Sequence, residues 1–210
     1  SVGGANTYTF PNVQESHTFE AVFGPGTDIK APGAAEPAAW AKAAVDRGIE
    51  LGIIPAELQS GYDQPITRRD FCVLADKLYC SKAGDLAAGT SPFTDVNDEA
   101  VTRMAKLEVV NGVGDDLFAP DDPLTREQAA AILSRLANVI ESPLGDAEPT
   151  FDDNADVSGW ARAAVGQMQA SGIMAGTGNN QFSPQGTYTR EQSMVTIMRL
   201  YDIAAEKLGG

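Results

Sequence analysis

Apolar residues recur along this chain with two different periods. Between residues 7 and 23 they alternate. Tyr8 and Phe10, then Phe19, Ala21 and Phe23, stand between polar or small residues, the period-two signature of a strand. Asn12 to Ser16 supplies a turn, so the pattern predicts a β-hairpin. From residue 37 onward the period is helical. Trp40, Ala44, Val45 and Ile49 form one stripe before Gly52, and Trp160, Ala164, Val165 and Met168 form another before Gly172. Tryptophan to terminal glycine is twelve residues in both. Val101, Ala105 and Leu107 make a shorter stripe of the same kind, without a tryptophan. These stripes predict three amphipathic helices, each with one face to bury.

A second class of helix announces itself by its start. Ile66-Thr67-Arg68-Arg69-Asp70, Leu124-Thr125-Arg126-Glu127-Gln128 and Tyr188-Thr189-Arg190-Glu191-Gln192 repeat one motif, with threonines 58 and 64 residues apart. Each threonine reads as an N-cap. The residue three positions on, Asp70, Gln128 or Gln192, completes a capping box for the two glutamines and an imperfect one for the aspartate. Ile66 and Phe71 suit a hydrophobic staple. Positions +7, +8 and +11 from each threonine are Leu74/Ala75/Leu78, Ile132/Leu133/Leu136 and Thr196/Ile197/Leu200, one apolar face per helix.

The organisation follows. A period of this length marks one supersecondary unit copied in tandem. We expect an all-α domain of three helix–loop–helix repeats, residues 37–84, 93–141 and 150–208. The three second helices should form a central bundle with pseudo-threefold symmetry, the first helices lying outside it. Pro37 opens the first repeat as a first helical residue. Residues 1–36 read as a hairpin remnant of an upstream β-module followed by a Gly/Pro linker.

Composition narrows the function. Net charge is −14, which excludes a polyphosphate partner such as nucleic acid. The sequence holds no apolar run of about 18 residues, so no membrane partner is expected. Residue 1 is serine, and the chain reads as a processed protein or an expressed fragment. Cys72 and Cys80 lie eight residues apart on one helix, roughly 12 Å along its axis, too far to pair. A single histidine, His17, and the absence of Cys–His clustering leave no zinc site. A calcium loop from Asp116 to Glu127 fails because Phe118 and Pro120 would fall on ligand positions. No metal and no cofactor is expected.

The candidate chemistry sits at the second-helix starts. Arg68, Arg126 and Arg190 occupy the first helical position, where a cation is unfavourable and N–H groups point outward. Three such arginines read as three anion contacts, not capping residues, so their removal should barely touch folding. The basic residues Lys77, Arg135 and Arg199 lie later in those helices and read as structural or solvated. Trp40 and Trp160 belong to helical stripes and suit the core or the wall of a groove, where an indole can stack on a sugar. Gly112-Val113-Gly114 and Gly176-Thr177-Gly178 are tight loops with N–H groups to offer, followed in register by Phe118 and Pro120 and by Phe182 and Pro184. The first repeat is two residues shorter here and lacks Gly-x-Gly. Arg190 lies in the repeat that keeps both the tryptophan and the glycine loop, so it is expected to matter more than Arg68.

Taken together, the Trp-Ala-x-x-Ala-Val helix, the Phe93-to-Val96 and Phe151-to-Asp153 openings, Gly-x-Gly, Phe-x-Pro and the Thr-Arg start resemble the S-layer homology family over about 170 residues. The family's Thr-Arg-Ala-Glu tetrad stands here as Thr-Arg-Arg-Asp once and Thr-Arg-Glu-Gln twice. The resemblance implies a non-enzymatic, extracellular anchor that holds a surface protein to the bacterial cell wall or S-layer. It implies grooves between repeats that bind secondary cell wall polymer or a peptidoglycan-linked glycan, with pyruvylated N-acetylmannosamine as the terminal sugar. The carbohydrate contacts would be Arg68, Arg126, Arg190, Trp40, Trp160, Gly112, Gly114, Gly176 and Gly178, on a monomer whose symmetry is internal. A glycan-active enzyme fragment and a self-assembly module without glycan binding are the alternatives.

Overall fold

Each repeated Thr-Arg start does begin a helix. The structure, a computed structural model, describes residues 33–208; the expected hairpin over 7–23, with His17, lies outside the described residues. Six α-helices follow in order: α1 Ala39–Glu50, α2 Arg68–Ala83, α3 Glu99–Lys106, α4 Arg126–Val139, α5 Arg162–Ala170 and α6 Arg190–Leu208. Short 3₁₀ turns lie at Ala56–Leu58 and Asn154–Asp156. Among the described residues there is no strand, only isolated bridges. The fold is all-α.

The second helices, α2, α4 and α6, pack against one another pairwise. Leu78, Leu136 and Leu200 are fully buried, as are Leu74, Leu133 and Ile197. Their caps are those the sequence prescribes. Thr67 accepts the Asp70 N–H at 3.1 Å. Thr125 and Gln128 exchange reciprocal bonds of 3.3 and 3.1 Å, and Thr189 and Gln192 do the same at 3.3 and 3.2 Å.

Just before each of these helices the chain is extended, and the three extended segments bridge one another. Pro65 pairs with Thr189, Thr67 with Pro123 and Thr125 with Thr187. The helix starts are consequently occupied. The first two N–H groups of α2 donate to Asp122 and Pro120, those of α4 to Gly186 and Pro184, and those of α6 to Gln64 and Tyr62. Capping threonines take the third. These N-termini therefore offer no free donors to an anion, which corrects the expectation that they point outward. Inter-repeat backbone pairing has satisfied them instead.

Each first helix packs on the second helix of the preceding repeat: α3 on α2, α5 on α4, and α1 on α6. The last pair closes the ring, and Arg47 of α1 meets Asp202 of α6 at 2.6 Å. Helix α1 begins at Ala39, two residues later than Pro37 suggests. Gly48 inside it is a contact residue, since a Cβ there would come within 2.5 Å of Ile54.

Candidate functional site

The first-repeat arginine reaches into the second repeat's loop. Arg68 is 9% exposed. Its Nε donates to the Phe118 carbonyl and its Nη2 to the Asn111 carbonyl, both at 2.8 Å. Its guanidinium carbon stands 4.5 Å from the Phe118 ring centroid. Arg126 repeats this one unit on. It is 5% exposed and donates to Phe182 and Ala175 carbonyls at 2.7 Å each, 4.8 Å from the Phe182 ring centroid. Burial pushes both guanidinium pKa values down from the usual arginine range. In both, Nη1 makes no hydrogen bond among the described residues and the side chain lines a groove. These arginines are cross-repeat struts with one free edge, not solvated residues.

The loops they hold are built for that approach. Asp115 and Asp116, like Asn179 and Asn180, have consecutive left-handed φ values between 47° and 55°, the conformation of a two-residue hairpin turn. Gly114 bridges Leu117, and Gly178 bridges Gln181. The two glycines of each motif differ in purpose. Gly114 and Gly178 have φ of 117° and 118°. At Gly112 and Gly176 a Cβ would press to 2.6 and 2.7 Å against the carbonyls of Leu117 and Gln181. Asp95 pins the first loop by accepting the Phe118 and Ala119 N–H groups at 2.8 and 2.7 Å. Asp153 accepts those of Phe182 and Ser183 at the same two distances. The Phe-Thr-Asp and Phe-Asp-Asp openings thus serve as loop latches, with Phe93 stacked 5.1 Å from Phe118 and Phe151 5.4 Å from Phe182.

Two grooves result. One, about 370 Å³, runs from Arg68 past Asn111 and Gly112 and along Gln128 and Arg135 of α4 to Trp160. The other, about 190 Å³, runs from Arg126 past Ala175 and Gly176 and along Gln192 and Arg199 of α6 to Trp40. The linings correspond except at Val113 in the first groove and Tyr188 in the second. Trp40 and Trp160 are 58% and 59% exposed, so the tryptophans of the apolar stripes are groove walls and not core. The buried face of α1 is Ala41, Val45 and Gly48 instead.

Arg190 lines neither groove. It reaches the first repeat, where Nη1 donates to the Ser60 carbonyl at 3.0 Å and Nη2 to Asp70 at 2.9 Å. Asp70 replaces the glutamine of the other repeats. Its negative charge neutralises the arginine, whose Nε is buried without a partner. The loop it enters lacks Gly-x-Gly. Twelve residues before Glu108, the helix-terminal counterpart of Gly52 and Gly172, stands Val96 where the others have tryptophan. The expected ranking of Arg190 over Arg68 assumed that each arginine serves its own repeat's loop; it serves the next one.

The sequence reading missed Asn111, Gln128, Gln192, Arg135 and Arg199 as groove residues. The basic residue ten positions after each threonine was the available signal. Gly114 and Gly178 hold the hairpins beside the grooves without lining them. Cys72 is buried and Cys80 half-buried, both free. Among the described residues no group of acidic, histidine or cysteine side chains could hold a metal ion.

Comparison with known proteins bears on the same segments. The model of the S-layer homology domain matches residues 92–130 and 150–192, each running from a Phe latch to the start of a second helix. A cell surface protein of Thermoanaerobacter kivui is 30% identical over 118 residues, 53% of this chain and 16% of that protein. An amylopullulanase of Thermoanaerobacterium thermosulfurigenes is 27% identical over 176 residues, 78% of this chain and 9% of the enzyme. The S-layer protein sap of Bacillus anthracis is 26% identical over 124 residues, 56% of this chain and 14% of that protein. The chain spans only a small part of the length of each relative.

Proposed function

The chain belongs to the S-layer homology domain family, and from that footing we infer that it anchors a bacterial surface protein to the cell wall by binding a wall glycan in the Arg68 and Arg126 grooves. It is an extracellular, wall-associated module. The observation that carries the reading is the groove itself, present twice: an exposed indole faces a buried arginine that keeps one N–H edge unpaired.

That pairing suits an anionic sugar. A pyruvate ketal places a carboxylate on a pyranose ring. The free guanidinium edge donates to the carboxylate, and the indole covers the apolar face of the ring. Gly112 and Gly176 line the grooves with backbone, their missing side chains turned toward the hairpin carbonyls of Leu117 and Gln181. We take the ligand to be secondary cell wall polymer ending in pyruvylated N-acetylmannosamine, with Arg68, Arg126, Trp40, Trp160, Gly112 and Gly176 as contacts. The threefold arrangement is complete within one chain, which suits a monomer.

Binding without turnover is the better reading. Glycoside hydrolysis needs two carboxylates flanking the bond, and no acidic residue lines either groove. The amylopullulanase shares only the short segment matched here. No helix of the described residues is long and apolar enough to cross a membrane.

Co-sedimentation with purified cell walls tests the reading. The protein should pellet with intact walls and stay in solution once the polymer is extracted. Undiminished pelleting on extracted walls would refute glycan anchoring.

A further inference from the structure

Asn111-Gly112 is the chain's only Asn-Gly pair, and it lies in the lining of the Arg68 groove. We propose that it is a self-modification site: Asn111 cyclises onto the Gly112 nitrogen and opens to isoaspartate, which turns the neutral carbonyl facing Arg68 into a carboxylate. The chemistry stands apart from the wall-glycan reading; its effect on binding rests on that reading.

The reaction needs an accessible amide, an unshielded nitrogen and a free N–H. Asn111 and Gly112 are exposed and lie in neither helix nor strand. The Asn111 side-chain amide and the Gly112 N–H make no hydrogen bond among the described residues. Glycine has no Cβ to shield its nitrogen. The fold requires glycine here, since a Cβ would press to 2.6 Å against the Leu117 carbonyl. It makes no such demand of the amide. Ala175 precedes Gly176 in the other groove, and its carbonyl holds Arg126 at 2.7 Å as that of Asn111 holds Arg68 at 2.8 Å.

Arg68 gives the reaction its direction. Its Nη2 donates to the carbonyl of the peptide bond that must react. A cationic donor there draws electron density from the peptide and acidifies the Gly112 N–H. The deprotonated nitrogen attacks Asn111 Cγ, the bond from Cγ to the side-chain nitrogen breaks, and ammonia leaves with the proton. Water then opens the succinimide. Its hydroxyl adds to the main-chain carbonyl carbon that Arg68 polarises, the bond from that carbon to the Gly112 nitrogen breaks, and the nitrogen takes the proton. The chain now runs through Cγ, one methylene longer, and the former main-chain carbonyl is a free carboxylate. A charged pair with Arg68 replaces a bond to a neutral acceptor. The Arg126 groove has no amide at this position and is left as it was.

Ageing the folded protein in mildly alkaline buffer, followed by peptide mapping and an isoaspartyl methyltransferase assay, tests the site. Asn111 should convert before any other asparagine of the chain. Isoaspartate should form a larger share of the product than in guanidinium-unfolded chain aged alongside, where Arg68 is not in place. Asn111 still an amide once the unfolded chain has converted, or equal isoaspartate shares in the two, would overturn the proposal. In co-sedimentation with cell walls, aged wild type should lose one of its two glycan sites. Asn111→Ala should bind as much after ageing as before it. Equal binding by fresh and fully converted wild type would overturn the effect on the groove. Failure of fresh wild type to bind walls would remove that effect together with the glycan reading and leave the modification standing on the peptide map.

Discussion

Glu191 in the last helix accepts the Ala38 N–H at 2.9 Å, across 153 residues of chain. This bond caps α1, which has no side-chain cap of its own, and joins the two ends of the repeat array. Glu127 does the equivalent for the third repeat, accepting from the Ser158 N–H and hydroxyl at 2.9 and 2.8 Å. Repeat one has Arg69 instead, and α3 is capped by its own Asp98 at 3.0 Å. Glu191→Ala should lower stability by roughly 1–3 kcal/mol, the range for losing a charged hydrogen bond, read as a lower urea midpoint at unchanged slope. Glu191→Gln, which keeps an acceptor, should lose less. A midpoint equal to wild type for Glu191→Ala would mean that the ring is not closed this way.

Arg126 is more than a ligand contact. Its removal strands two loop carbonyls that it satisfies at 2.7 Å. Arg126→Ala should therefore cost roughly 2–4 kcal/mol of folding stability, measured by chemical denaturation. The expectation from sequence that such a change would spare folding is reversed. Arg190→Ala should cost less, because Arg190 is more exposed and already carries an unpaired Nε.

Asp95 makes the first loop acid-sensitive. The Phe118 N–H, with that of Ala119, holds its carboxyl below the usual aspartate range. A depressed folded pKa means that the latch contributes fully above the unfolded value, about 3.9, and is lost as pH falls through the lower folded value. Amide exchange at Phe118 and Ala119 should accelerate, beyond its intrinsic pH dependence, below about pH 4. Asp95→Asn should show that extra exchange at neutral pH and lose its dependence on acid. A wild-type protection factor constant down to pH 2 would contradict the latch.

Glu108 sits just beyond α3 with φ of 56°, where the other first helices have Gly52 and Gly172 at 70° and 72°. A side chain in that left-handed conformation is strained, while glycine is not. Glu108→Gly should raise stability by about 1 kcal/mol, seen as a higher melting temperature. A decrease would show that the glutamate side chain contributes more than its backbone costs.

Local rules made much of this fold legible. Thr67, Thr125 and Thr189 cap their helices because capping chemistry acts over three residues, and Leu78, Leu136 and Leu200 meet because equal offsets lie on equal faces. What sequence could not give is which repeat each side chain serves. Arg68 sits beside its own loop in sequence and bonds the next repeat's. Trp40, in the first repeat, walls the groove of the third, because α1 packs on α6. The indoles were legible as part of an apolar stripe but not as its exposed edge, since one stripe can span both core and groove. The tight loops were visible as Gly-x-Gly, yet not the carbonyls of Asn111 and Ala175 that orient the arginines.

The chain's two tryptophans stand one in each groove, each more than half exposed, so emission excited selectively at the indoles, apart from the five tyrosines, reports on the grooves. Titrating wall polymer into the protein while measuring emission and acrylamide quenching tests the central claim most directly. The account predicts a blue shift and protection from quencher that saturate with binding, with part of the signal lost in Trp40→Phe and part in Trp160→Phe. Polymer binding that leaves both indoles equally open to quencher would contradict it.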